Sequence, residues 1–244
     1  MTEQPSAAFI IIGNEILSGR TQDRNLNYLA LFLIKIGIRL AEVRVIPDDG
    51  PTIIDTVRTL SSVHDYVFTS GGIGPTHDDI TAENIAKAFD CTLTRNPEAY
   101  ARLEAHYATR PEEFNDARQR MALIPEGSVL IDNPISAAPG FYIKNTFVLA
   151  GVPSIFQAML DQIRHLLKGG DIIQSRAITT HVTEGTIATA LGTIQKTHPT
   201  VEIGSYPYIK DGQLGVSIVL RGSDARTLDA VENAVNTLLS TYVR

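Results

Sequence analysis

Short, unbroken apolar runs alternate with amphipathic stretches along the first two thirds of the chain. Ala8-Phe9-Ile10-Ile11-Ile12 contains no polar position and ends at Gly13, the pattern of a strand buried on both faces of a parallel sheet. Leu26, Leu29, Ala30, Leu33 and Ile34 then recur at helical spacing, with Asp23 placed to cap this helix and Gly37 to stop it. Residues 40–46 predict a second strand, which runs into Pro47-Asp48-Asp49-Gly50. Pro51, at a first-turn position, opens a helix that carries Ile54, Val57 and Leu60 as far as Val63. Tyr66-Val67-Phe68 predicts a third strand leading directly into residues 69–79, after which Thr81 or Asp79 can cap a helix over 82–89. Three such strand-to-helix units imply right-handed crossovers and a mostly parallel sheet covered on both faces.

Further along, helical patterns cover 97–107 and 111–121, apolar runs occupy 128–131 and 146–150, and a helix is predicted over 153–167. Lys168-Gly169-Gly170 reads as a boundary. Beyond it the pattern changes to a strand (175–182), a helix (184–196), two strands flanking Lys210-Asp211-Gly212, and a helix (225–239). This β-α-β-β-α order predicts a small α+β module packing as its own lobe. The expected organisation is therefore an α/β domain over 1–168 and a module over 171–244, with no internal repeat.

Composition narrows the picture. At 244 residues the chain can hold an α/β domain and an appendage, and 43% hydrophobic against 20% charged residues supports a core and excludes disorder. A formal net charge of −6 lacks the basic field that a phosphate polymer requires, so nucleic acid is not an expected partner. A single cysteine, Cys91, allows no internal disulfide and no thiolate zinc cluster. No stretch approaches the roughly 20 apolar residues of a membrane helix, and the first apolar run is too short for a signal sequence. A cytoplasmic protein is expected.

Ligands of an open parallel sheet bind at the carboxyl ends of its strands, which here carry the loops 13–23, 47–50 and 69–79. In the last, Gly71, Gly72 and Gly74 leave amides uncovered by side chains next to a helix N-terminus, the arrangement of an anion cradle. The same glycines also suit a tight turn with positive φ, and the pattern matches neither a Walker loop nor the dinucleotide fingerprint, so both readings stand. Carboxylates gather in these loops: Glu15 and Asp23, Asp48 and Asp49, Asp78 and Asp79. Singly, Asp23 and Asp79 read as helix caps and the others as solvated loop charges. As a group beside a phosphate site they imply a hard divalent ion such as Mg²⁺. Arg20 serves equally as a phosphate clamp or a surface ion pair, and His77 reads as a surface histidine. Cys91 reads as a small core residue, and no G-x-S-x-G elbow is present. Gly212-Gln213-Leu214-Gly215 lies between two strands and is a hairpin turn, not the helix-flanked clamp of an RNA-binding module.

Two strings carry a family resemblance: Ile12-Gly13-Asn14-Glu15-Ile16-Leu17-Ser18-Gly19-Arg20 and Gly71-Gly72-Ile73-Gly74-Pro75-Thr76-His77-Asp78-Asp79-Ile80-Thr81. With Asn133-Pro134, Ala138-Pro139-Gly140-Phe141 and Gly151-Val152-Pro153, they resemble the molybdopterin-binding domain in the N-terminal region of competence/damage-inducible protein A. The likeness covers about 6–167, and 184–239 with Ser205-Tyr206-Pro207 resembles the small module that follows in that family. It implies a three-layer α/β/α domain, a nucleotide or molybdopterin ligand, and a homo-oligomer. Ligand-binding positions implied by the resemblance are Gly13, Glu15, Gly19, Arg20, Asn25, Ser70, Gly71, Gly72, Gly74, Pro75, Thr76, Pro139, Gly140 and Gly151. Asp48 and Asp79 fall where the family places functional carboxylates, and with Asp78 they form the expected metal set.

Relatives of this kind either adenylylate molybdopterin or hydrolyse the pyrophosphate of ADP-ribose and related dinucleotides with a divalent metal. The leading expectation here is such a pyrophosphatase, with pterin binding or adenylylation, and a non-catalytic binding module, as alternatives. Two departures bear on this. Ser136 stands where the family commonly has glycine, and Ile155 where it commonly has glutamate, which implies weak or absent turnover if that carboxylate acts in hydrolysis. The deamidase domain of full-length relatives does not follow, so nicotinamide-nucleotide deamidation is not expected.

Overall fold

The computed structural model describes residues 4–210 and 212–242, so Asp211 of the expected turn lies outside the described residues. The chain divides into two compact units, Met1–Gly170 and Asp171–Arg244.

The first unit is built on a six-stranded sheet of order β2-β1-β3-β8-β7-β6. β1 (Ser6–Ile12), β2 (Arg39–Ile46), β3 (Tyr66–Ser70) and β8 (Thr146–Leu149) run parallel, whereas β7 (Gly140–Ile143) and β6 (Val129–Ile131) extend the sheet antiparallel. Because side chains alternate across a strand, β1 supplies two cores at once. Ala8, Ile10 and Ile12 face Ile53, Val57 and Leu60 of α3 (Gly50–Val63), Ile85 of α4 (Thr81–Ala88) and Leu103 of α5 (Pro97–His106). Ala7, Phe9 and Ile11 face Leu29, Phe32 and Leu33 of α2 (Asn25–Lys35) and Phe156, Met159 and Leu160 of α7 (Pro153–Ile163). The three-layer α/β/α fold follows directly from an apolar run with no polar position. Two short helices, α1 (Asn14–Leu17) and α6 (Asp116–Gln119), and a small hairpin of β4 (Leu93–Arg95) with β5 (Leu123–Pro125) complete this unit.

In the second unit β9 (Gln174–Thr180), β10 (Glu202–Lys210) and β11 (Gln213–Gly222) form an antiparallel sheet of order β10-β11-β9. Val216, Ile218 and Leu220 of β11 pack against Ile187 and Leu191 of α8 (Glu184–Thr197) and Leu228, Val231 and Val235 of α9 (Ala225–Ser240). This is the β-α-β-β-α order read from the pattern. Gln213-Leu214-Gly215 belongs to strand β11, paired with β10.

Several local expectations are corrected. Residues 111–121 are not one helix: short 3₁₀ turns flank α6, because the Asn115 side chain accepts from Arg118 N–H and starts a new turn. Neither Thr81 nor Asp79 caps α4, whose N-cap is Ile80 without a side-chain bond. Thr81 turns its hydroxyl to the Gly71 carbonyl instead. Asp23 does accept from Leu26 N–H at 2.8 Å. Strand β7 has no counterpart in the sequence reading, since four residues between turns carry too little periodicity.

Candidate functional site

Three strand ends converge in this unit. β3 finishes at the buried Ser70, and the chain turns through Gly71 (φ 106°) and Gly72 (φ 67°). A Cβ at Gly71 would lie 2.2 Å from the Ile12 carbonyl oxygen that ends β1, and one at Gly72 would lie 2.1 Å from Thr81 Oγ1. Only glycine combines these dihedrals with such close approach. Gly71 N–H donates to Leu149 O at 3.2 Å and Thr81 N–H to Gly72 O at 2.9 Å, which ties the loop to β8 and to the first turn of α4. The amides of Gly72, Ile73 and Gly74 have no acceptor among the described residues. The turn and cradle readings thus coexist, with one correction. The Gly71 amide is consumed by the sheet, and Ile73 contributes one instead.

These amides border a cleft of about 530 Å³ whose walls include Glu15, Asp79, Met121, Asn133, Ser136 and Ile155. Gly71, Gly72, Gly74, Pro75 and Gly151 line it as well. A small recess shares Gly72, Gly74 and Asp79 with it and reaches Ala82 and Glu83 at the start of α4, with Pro139 and Arg120 opposite. Asp79 lies against Gly74, where a Cβ would meet its Oδ2 at 2.7 Å. That oxygen accepts the Thr76 N–H at 2.8 Å and the Thr76 hydroxyl, while Oδ1 receives neither.

The proposed metal set is not assembled. Among the described residues no three Asp, Glu, His or Cys side chains gather to hold an ion. The reason is local: Asp48 Oδ2 accepts Asn14 N–H at 2.8 Å, Asp79 is engaged by Thr76, and Asp78 is exposed. Asp49, expected as a solvated loop charge, instead caps α3, because the hydroxyl and N–H of Thr52 bind its carboxyl and hold it below the usual range. Of the remaining sequence candidates, Asn25 and Ser70 are buried and line neither the cleft nor the recess, with Asn25 Nδ2 donating to Ser70 Oγ. Gly13 donates to Ile46 O with the Glu15 carboxylate folded over it, and Gly19 makes a positive-φ turn. Arg20, Thr76 and His77 are exposed and line neither the cleft nor the recess. Gly140 belongs to the core: it sits in β7, where a Cβ would lie 2.5 Å from Val148 O. Cys91 is partly buried with Sγ donating to Ala86 O, and burial pushes its thiol pKa up.

The sequence reading passed over Asn133, Thr21 and Met121 as lining residues. Asn133 had a usable signal, since Asn-Pro begins turns. Its Nδ2 donates to Ser136 Oγ (2.7 Å) and Ala138 O (2.8 Å), and its Oδ1 accepts from Ile135 and Ser136 N–H, shaping a loop in which Ala137 adopts φ 61°. The departure at Ser136 therefore supplies a partner to Asn133. Met121 had no signal, because the fold returns it from an interrupted helical segment.

The sequence profile described as "Probable molybdopterin binding domain" matches residues 8–169, and that described as "FAD synthase, middle domain" matches 172–243. A protein of Archaeoglobus fulgidus is 35% identical over 201 residues, 82% of this chain and 85% of that one. A "Probable FAD synthase" of Caenorhabditis elegans is 30% identical over 267 residues, and the chain spans 51% of its length while being itself covered completely. Among solved structures, the protein CinA of unknown function from Thermoplasma acidophilum superposes with a TM-score of 0.62 at 33% identity, covering 66% of this chain and 96% of that one.

Proposed function

The chain belongs to the family described as "Probable molybdopterin binding domain", and on that premise we propose that its cleft binds a phosphoanhydride-bearing nucleotide or pterin and hydrolyses dinucleotides of the ADP-ribose or FAD type. The observation that carries this reading is the set of three unpartnered amides, at Gly72, Ile73 and Gly74, on the wall of a 530 Å³ cleft at the start of a helix. Such amides stabilise the negative charge that builds on phosphoryl oxygens as a bridging P–O bond breaks. Water supplies the oxygen that forms the new P–O bond, and the bridging oxygen departs with one phosphate ester. We assign the proton of that water to Asp79, a reading supported by its place on the cleft wall and by an Oδ1 that Thr76 does not engage. Because Asp48, Asp78 and Asp79 do not fit a resident ion, no step is assigned to one.

Similarity of residues 172–243 to a FAD synthase middle domain supports including FAD in the substrate class. We assign the second unit a structural or associating role, since its charges nearly balance and it carries no glycine loop at a strand-to-helix junction. The test is chromatography of products from ADP-ribose, FAD and related dinucleotides, with and without Mg²⁺, Mn²⁺ or Co²⁺. Asp79→Asn is expected to abolish cleavage with the circular dichroism of the chain unchanged; full activity in that variant refutes the assignment. One observation favours a binding module without turnover, namely the apolar Ile155 on the cleft wall. Recovery of intact ligand after long incubation with bound protein decides for it.

A further inference from the structure

A phosphoanhydride seated on the Gly72–Gly74 amides brings negative charge to walls that already carry carboxylates. Glu15 and Asp79 line the cleft, and Asp79 and Glu83 line the adjoining recess. Like charges at such range repel unless a cation stands among them. No three Asp, Glu, His or Cys side chains gather among the described residues to hold a metal ion. Of the described residues that line the cleft and the recess, Arg120 is the one cationic side chain.

Its surroundings set it apart from the arginines before it. Arg102 is paired with Glu98 and Asp132, Arg110 and Arg118 share Glu113, and Arg95 lies over the Tyr100 ring. The exposed Arg120 side chain has no hydrogen bond, ion pair or ring contact among the described residues. The backbone that carries it is nonetheless anchored on both sides. Before it, Arg118 binds the Glu113 carboxylate at 2.9 Å and Gln119 donates to Phe114 O at 3.1 Å. After it, Ala122 O accepts Asn96 N–H at 2.8 Å and β5 pairs with β4. A guanidinium kept free on a fixed stretch of chain therefore shares a recess of about 80 Å³ with Gly72 and Gly74. The two walls are complementary toward one ligand group: amides bind single phosphoryl oxygens, and the guanidinium fork takes two at once.

We propose that Arg120 is the phosphate-binding cation of this site, holding the phosphoanhydride from one side with the Gly72–Gly74 amides on the other. This deepens the reading of the cleft as a phosphoanhydride site and rests on it. It moves the clamp that the family resemblance puts at Arg20, which lines neither space, to the 3₁₀ turn Arg120–Ala122. The same charge offsets that which builds on the phosphoryl oxygens as the bridging P–O bond breaks.

Calorimetry on the full chain tests this with the α,β-methylene analogue of ADP-ribose, in which carbon replaces the bridging oxygen and prevents cleavage. Arg120→Gln, checked for folding by circular dichroism, is expected to weaken binding at least about tenfold and to reduce its dependence on salt. Arg120→Lys should fall between, since an ammonium keeps the charge without the fork. Arg39→Gln removes the same charge from an exposed residue at the amino end of β2, away from both spaces, and should bind as the unaltered chain does. A folded Arg120→Gln of unchanged affinity overturns the proposal, as does an equal loss in Arg39→Gln, which would report net charge alone. Should Arg120→Gln not fold, Arg120→Lys decides, and unchanged affinity there overturns the proposal. An unaltered chain that does not bind the analogue overturns the reading of the cleft and this proposal with it, whereas binding that ignores Arg120 sinks only the proposal. Loss of affinity in Arg120→Gln on a chain that yields no product from ADP-ribose sustains the role of Arg120 and sinks only the hydrolytic reading.

Discussion

Replacing Gly72 by alanine tests whether the loop geometry holds the site for the reason given. At φ 67°, an alanine carries a left-handed penalty of about 1–2 kcal/mol, offset by about 0.4–1 kcal/mol from the stiffer unfolded chain. Its Cβ would also meet Thr81 Oγ1 at 2.1 Å and Thr81 Cβ at 3.2 Å, and Thr81 is completely buried and cannot swing away into solvent. Displacing the hydroxyl breaks its 3.0 Å bond to the Gly71 carbonyl, and leaving buried groups unsatisfied costs about 1–3 kcal/mol. Together Gly72→Ala is expected to destabilise the first unit by about 3 kcal/mol, lowering its melting temperature by roughly 6–12 °C. The chain has no tryptophan, so urea unfolding followed by circular dichroism is the suitable assay. The decisive comparison is a double-mutant cycle. Thr81→Ala alone should cost about 1 kcal/mol, and in its presence the alanine at 72 should lose most of its clash, so the double variant should be about 2 kcal/mol milder than the sum. Additivity within about 0.5 kcal/mol would refute the steric account.

Three further outcomes are expected. The N–H of Ser6, then its hydroxyl, donate to Asp65 at the start of β1 and hold its carboxyl below the usual range. This contribution is complete above the ordinary carboxylate pKa of about 4 and is lost as pH falls through the lower folded value, so Asp65→Asn should flatten the acid limb of a stability-against-pH curve; an unchanged limb contradicts it. Ala137→Gly should stabilise the Asn133 loop by about 0.5 kcal/mol, the left-handed penalty at φ 61° exceeding the entropy that glycine adds to the unfolded chain, as a thermal melt would report. A chain restricted to residues 1–170 should keep the ligand affinity of the whole while light scattering reports an altered association state. Loss of affinity in a folded, unchanged oligomer would place part of the site in the second unit.

Much of the fold was legible because its signals are local. From Ala7 to Ile12, β1 has no polar position, and that alone requires helices on both faces; Pro51 marks the start of α3, and the glycine string marks the turn after β3. The interrupted segment 111–121 was not legible, since helical spacing persists there while Asn115 restarts the chain. Nor was the scattering of the acidic loops, because proximity in sequence to a phosphate loop says nothing of whether a carboxylate is already engaged by a neighbouring amide.

The sequence by itself determined that the first strand is buried on both sides, that glycines follow the third strand at a turn, and that a second, smaller α+β unit follows Gly170. These depend on interactions within a few residues, which composition and periodicity report directly. Only the tertiary structure decided that the Gly71 amide belongs to the sheet while those of Gly72, Ile73 and Gly74 have no acceptor among the described residues, that Asp48, Asp78 and Asp79 form no common donor set, and that Asn25 meets Ser70 and Gly151 across 45 and 126 residues of chain with one acceptor left over. Those outcomes turn on which polar groups find partners, and partners are chosen only when distant strand ends are packed together.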